Sequence, residues 1–99
     1  VDFKNEINTE ETFLFEDKPF NGVAKTPSQQ GVFVNGIRHG YWKKFYTNEK
    51  GKVRTDFIGS YKHNKKHGKF TYYKNSNREN TYIEFYNDGV LIPNSKDNK

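Results

Sequence analysis

The chain contains no cysteine and no methionine. Without cysteine there are no disulfides, no thiolate metal sites and no cysteine nucleophile. Methionine is missing even from position 1, so the chain reads as a processed or trimmed product, with an exported or periplasmic setting as the expectation. No stretch comes near the roughly 18 apolar residues of a spanning helix, so no transmembrane segment is expected. Aliphatic side chains are scarce, with Val, Ile and Leu together numbering 13. Acids are scarce in the middle, where residues 36–78 carry twelve Lys and Arg against Glu49 and Asp56. No Gly-rich phosphate loop is present, and Ser28, Ser60, Ser76 and Ser95 lie in no nucleophile elbow. Glu49, Asp56 and Glu84 stand apart from one another. The chain is therefore expected to be neither an enzyme nor a carrier of a cofactor.

What it has instead is rings. Phe, Tyr and Trp number nine, seven and one, more than the aliphatics, in a chain of 99 residues that can bury only a modest core. Each ring buries about 150–250 Å², enough to cover one face of a sheet without a deep second layer. A thin, β-rich, aromatic-faced domain follows.

Those rings fall in a repeated pattern. Gly31-Val32-Phe33-Val34-Asn35-Gly36-Ile37-Arg38-His39-Gly40-Tyr41-Trp42 is answered 28 residues later by Gly59-Ser60-Tyr61-Lys62-His63-Asn64-Lys65-Lys66-His67-Gly68-Lys69-Phe70. Period 2 places Phe57, Gly59 and Tyr61 on one face. The glycine between two rings leaves a slot over which a neighbouring strand's aromatic can lie. No such hairpin has enough apolar surface to fold alone, so units must stack.

In chain order, residues 1–12 form an acidic N-terminal arm, with Phe3 and Ile7 four apart, read equally as a short helix or a frayed segment. Phe13-Leu14-Phe15 reads as a short buried strand, Asp17-Lys18-Pro19 as its turn and Phe20–Lys25 as the next strand. Gly31–Val34 runs into Asn35-Gly36, the strongest hairpin signal because both turn positions need φ > 0. Tyr41–Tyr46 is a strand, Glu49–Lys52 a turn and Val53–Tyr61 the longest strand expected. His63-Asn64-Lys65 turns again, Phe70–Tyr73 is a strand, Asn75-Ser76-Asn77 a turn and Thr81–Tyr86 a strand. Asp88-Gly89 leads into Val90–Ile92, an edge strand stopped by Pro93. The repeat domain thus covers residues 13–92, and residues 93–99 read as a disordered polar tail.

Phe57-Ile58-Gly59-Ser60-Tyr61 followed by His67-Gly68-Lys69-Phe70 resembles a MORN repeat, in which aromatic-x-Gly-x-aromatic precedes a polar turn and a small-residue step. Gln29-Gln30-Gly31-Val32-Phe33 with Arg38-His39-Gly40-Tyr41-Trp42 resembles it too, with Gln29 in place of the first aromatic. The wording is closest to the bacterial MORN variant described as antitoxin-like. Phe20-Asn21-Gly22-Val23 and Tyr86-Asn87-Asp88-Gly89 are similar to partial copies. The steps are uneven, 18 residues from Gly22 to Gly40 and 28 from Gly40 to Gly68. The fold expected is all-β, an antiparallel meander of hairpins forming a twisted single-sheet MORN-like ribbon. Its structural positions are Gly31, Phe33, Gly40, Phe57, Gly59, Tyr61, Gly68 and Phe70.

Three histidines invite a metal reading, His63 and His67 being four apart. Here that spacing falls in a turn rather than on a helix, and Lys62, Lys65 and Lys66 repel cations, so no metal is expected. His39 and His67 read instead as turn residues that tolerate φ > 0. The candidate binding surface is the basic-aromatic set Arg38, Tyr41, Trp42, Lys44, Lys62, Lys66, Lys69 and Tyr72. Cations interleaved with rings can hold single-stranded nucleic acid or an acidic membrane surface. Set against this, alternation alone makes the rings a core and the lysines a solvated opposite face. The function expected is a β-repeat module for protein–protein interaction, with an antitoxin- or immunity-like inhibitor as the role the resemblance implies. Polyanion binding is the alternative. A site would be sought where the copies disagree, as Trp42 does with Phe70, Val34 with Lys62 and Gly36 with Asn64.

Overall fold

A computed structural model describes residues 1–73 and 81–93. The turn expected at Asn75-Ser76-Asn77 and the tail at residues 94–99 lie outside them. Strands run at β1 Leu14–Phe15, β2 Lys18–Pro19, β3 Gly22–Lys25, β4 Gln29–Val34 and β5 Ile37–Thr47. They continue at β6 Val53–Lys62, β7 Lys65–Lys66, β8 Gly68–Tyr72, β9 Tyr82–Asn87 and β10 Val90–Leu91. The described residues include no helix, and every pairing between strands is antiparallel. The order β10-β9-β8-β6-β5-β4-β3, with β7 also on β6, is that of a meander, and β1–β2 is a separate small hairpin. The molecule is only 16 Å deep against 47 and 35 Å in its other dimensions, a single sheet with little laid over it.

Local chemistry sets the turns. Four two-residue turns place both central residues at positive φ: Glu16-Asp17, Asn35-Gly36, His63-Asn64 and Asp88-Gly89. This geometry matches the right-handed twist of the flanking strands. The first corrects the turn expected at Asp17-Lys18-Pro19: Lys18 and Pro19 are strand, pairing with Phe15 and Leu14. Proline is tolerated there because the hairpin is an isolated ribbon with an open edge. The strand expected to be buried at Phe13–Phe15 is largely exposed, with Leu14 at 54% and Phe15 at 38%.

The longest strand is β5, not β6. It passes through His39-Gly40, where the ladder shifts from Gly31↔Trp42 to Phe33↔Arg38, so that three residues of β5 face Val32 alone. The second copy shifts at the same place, from Ile58↔Thr71 to Tyr61↔Lys66. Gly40 and Gly68 absorb the resulting bulge at φ 99° and 92°. Three glycines are thereby paired with three rings: Gly22 with Phe33, Gly40 with Tyr61 and Gly68 with Tyr86. The uneven spacing of the repeats reflects hairpin length, β5–β6 being far longer than β3–β4.

All the core rings share one face. Phe33, Trp42, Tyr61, Phe70 and Tyr86 follow one another edge-to-face at centroid distances of 5.3, 5.9, 5.6 and 5.3 Å. Such contacts add about 0.5–1.5 kcal/mol each beyond area burial. The glycine slots are filled as expected: a Cβ on Gly31 would lie 1.9 Å from the Trp42 ring, and one on Gly59 2.3 Å from the Phe70 ring.

The N-terminal arm is neither helical nor frayed. The Phe3 amide donates to the Lys25 carbonyl at 2.7 Å and the Lys25 amide to the Val1 carbonyl at 2.9 Å, which covers the edge of β3. Phe3 packs edge-on against Phe13, Phe15 and Phe20. Farther along, the Thr26 hydroxyl donates to Glu6 at 2.6 Å and Gln29 Nε2 to the Ile7 carbonyl at 3.4 Å.

Candidate functional site

Strand alternation divides the eight basic-aromatic residues between two faces. Arg38, Trp42, Lys44, Lys66 and Tyr72 stand on the ring-bearing face, whereas Tyr41, Lys62 and Lys69 stand on the other. They therefore do not make one continuous surface. Trp42 is 2% exposed and sits in the row of core rings, so it is no stacking platform. The eight structural positions all lie on the ring-bearing face.

Two of the cations there are part of the packing. Arg38 and Lys66 occupy the same place in the two copies. The Arg38 guanidinium lies 4.0 Å from the Tyr61 ring centre, and its Nε donates to Asn64 Oδ1 at 2.6 Å. Burial lowers its pKa, with Tyr61 and Glu10 acting the other way, and a guanidinium stays charged regardless. Lys66 Nζ lies 4.8 Å from the Tyr86 ring and 5.1 Å from that of Phe70, and donates to the Tyr72 hydroxyl at 3.0 Å. The Tyr72 and Tyr86 hydroxyls meet at 3.2 Å, and Tyr86 donates to Glu84 at 2.9 Å.

Lys44 differs. It pairs across the ladder with Gln29, where the second copy pairs Tyr72 with Phe57. The first copy has an amide and an ammonium where the second has two rings, and a cavity of about 500 Å³ opens there between sheet and arm. Trp42, Phe57 and Tyr61 line its apolar side. Arg38, Lys44 and Lys66 line it from the sheet, Glu6 and Glu10 from the arm, and Asp56 from β6. Asp56 is the extra residue of a bulge, since Lys44 pairs with Phe57 and Phe45 with Thr55. Among the described residues, no Lys or Arg nitrogen lies within 4 Å of a carboxylate, so none of these six charges is in an ion pair, and Glu10 acts on Arg38 only at longer range.

The histidines hold turns. In the first copy His39 Nδ1 accepts from the His63 amide at 3.4 Å, and in the second His67 Nδ1 accepts from the Asp88 amide at 3.3 Å. Asn21 Oδ1 does the same for the Asn35 amide at 2.9 Å. The next amide of each turn, on Gly36, Asn64 and Gly89, donates to the carbonyl of Phe20, Arg38 and Lys66 at 2.7–2.9 Å. It is thus His63, not His39 or His67, that takes positive φ. Among the described residues, no three His, Asp or Glu side chains converge as metal ligands.

The opposite face has a different character. Lys25, Lys43, Lys62, Lys65 and Lys69 stand on it, interspersed with Val23, Tyr41 and Phe85, which are 50%, 48% and 36% exposed. Among the described residues, no strand position on this face carries a carboxylate. Four of the twelve basic residues of 36–78, namely Lys43, Lys62, Lys65 and Lys69, stand here.

Compared with known protein families, curated proteins and solved structures, the chain matches none. Sequence reading overlooked Glu6, Glu10 and Asp56. Gln29 gave a signal, as the one position where the first copy departs from aromatic-x-Gly-x-aromatic.

Proposed function

We propose that this chain is a non-enzymatic interaction module that docks an acidic protein surface on its lysine-bearing face. The observation that carries the reading is that face itself: among the described residues it has five lysines and no strand carboxylate, with exposed apolar side chains between them. Charge complementarity of this kind steers encounter and fixes orientation, while the apolar groups supply contact area. The resemblance to bacterial MORN variants supports a repeat sheet that presents a surface, and an inhibitor of an acidic partner protein is the specific role proposed. Trp42, Tyr61 and Phe70, which a stacking mode for single-stranded nucleic acid would need exposed, are buried. The same lysines favour a second reading, binding to phosphate-bearing polyanions. Charge reversal at Lys43, Lys62 and Lys69 tests the first reading. A protein partner captured at moderate salt and lost on reversal, with the melting temperature unchanged, supports it; capture that survives reversal overturns it. Titration with single-stranded DNA and with anionic vesicles at two salt concentrations tests the second, which fails if neither binds at low salt.

A further inference from the structure

We propose that the cavity between the N-terminal arm and the sheet is a binding site for a small zwitterion with an apolar body, such as a free amino acid or a dipeptide. The site lies on the ring-bearing face and is independent of the docking reading above. At about 500 Å³ it falls in the range of small-ligand sites. It also exists for an identifiable reason. The repeat fills this place with a cross-strand pair of rings, Phe57 and Tyr72, and the first copy substitutes Gln29 and Lys44.

The charges select the ligand class. The Lys44 ammonium makes no hydrogen bond or ion pair among the described residues, and the carboxylates of Glu10 and Asp56 have none either. A polyanion would meet Glu10 and Asp56, and a polycation would meet Arg38 and Lys44. A ligand with a carboxylate at one end and an ammonium at the other satisfies both sets. Its apolar body would lie against Phe57, beside the largely buried Trp42. Pairing a previously unmatched charge with a ligand group changes affinity by about tenfold or more per contact.

Trp42 is the chain's single tryptophan and lines the cavity, so its fluorescence reports occupancy. The probes are L-leucine, L-phenylalanine and glycyl-leucine, against 3-phenylpropionate, phenethylamine and inorganic phosphate. The expected result is a saturable Trp42 signal with at least one zwitterion, and binding about tenfold weaker or worse for each single-charge analogue and for phosphate. Lys44→Ala and Asp56→Asn each remove a charge that has no hydrogen-bond or ion-pair partner among the described residues, so both should fold and both should weaken binding about tenfold. The proposal is overturned if none of the three zwitterions gives a saturable signal, if a single-charge analogue binds as well, or if both variants bind like the parent.

Discussion

The unit built on β4 and β5 and the unit built on β6, β7 and β8 share a backbone and differ in what they put on it. Both carry a two-residue turn at positive φ, a glycine under a ring, an inward cation on that ring row, and a histidine whose Nδ1 accepts from the next turn. The second copy completes its face with Phe57, tilted against Phe70, and Tyr72, stacked on Phe70 and Tyr82. The first stops short, with Gln29 and Lys44, and the arm lies over the gap. Where the copies agree, the residues are explained by folding. Where they disagree across a ladder pair, the sheet has room for a ligand.

The largest expected effect tests the agreement. Gly31→Val and Gly59→Val each drive a side chain into the ring above, and the strands on either side leave neither ring anywhere to go. Each should cost about 3 kcal/mol by overpacking, lowering the melting temperature by roughly 15 °C in a domain of this size. A large loss at one glycine and none at the other would show that the two slots are not equivalent.

The disagreement is tested by erasing it. The double variant Gln29→Phe with Lys44→Tyr writes the second copy's pair into the first. It should fill the cavity and raise stability by about 1 kcal/mol, the apolar burial and ring contact of the new pair less the lost Gln29 hydrogen bond to the arm. Thermal unfolding measures the first effect, and loss of the zwitterion-dependent Trp42 signal the second. A destabilised variant would mean that the arm, rather than the missing rings, determines the shape of this place.

How much of this could be read from sequence follows from the range of each interaction. Asn35-Gly36 and Asp88-Gly89 announced their turns because positive φ is a local demand. The slots at Gly31 and Gly59 followed from alternation alone. The unity of β5 did not, because His39-Gly40 resembles a stop, whereas a bulge keeps the ladder intact on both sides. Phe3 and Ile7 gave no sign that the arm docks, since their partners lie far along the chain. Asp56 reaches the cavity through a one-residue register shift that no pattern in the strand encodes. The histidine caps were within reach, because Asn21, His39 and His67 each precede a glycine paired with a ring.

Those caps make a smaller test of equivalence. His39→Ala and His67→Ala each remove the acceptor for a turn amide and should cost about 1 kcal/mol by urea denaturation. His39→Asn and His67→Asn should cost less than half of that, because Asn21 already does this work one unit earlier. If asparagine is as damaging as alanine, the ring itself matters more than its nitrogen, and the three units are less alike than their geometry suggests.

The smallest effect belongs to the second copy alone, which has tyrosines around its cation. Burial is the largest cause raising the pKa of both Tyr72 and Tyr86 above the usual phenol value. For Tyr86 the hydrogen bonds to Tyr72 and Glu84 add to the shift, and for Tyr72 the bond to Tyr86 opposes it. Above about pH 10 the unfolded chain has released phenolic protons that the folded chain still holds. The stabilisation is therefore complete below that pH and lost as pH rises from there through the raised folded values. Tyr86→Phe removes one such group, so its urea midpoint should fall less between about pH 8 and pH 11 than that of the parent. Equal slopes would mean that the hydroxyl network around Lys66 opens before the chain unfolds, leaving the second copy as loosely filled as the first.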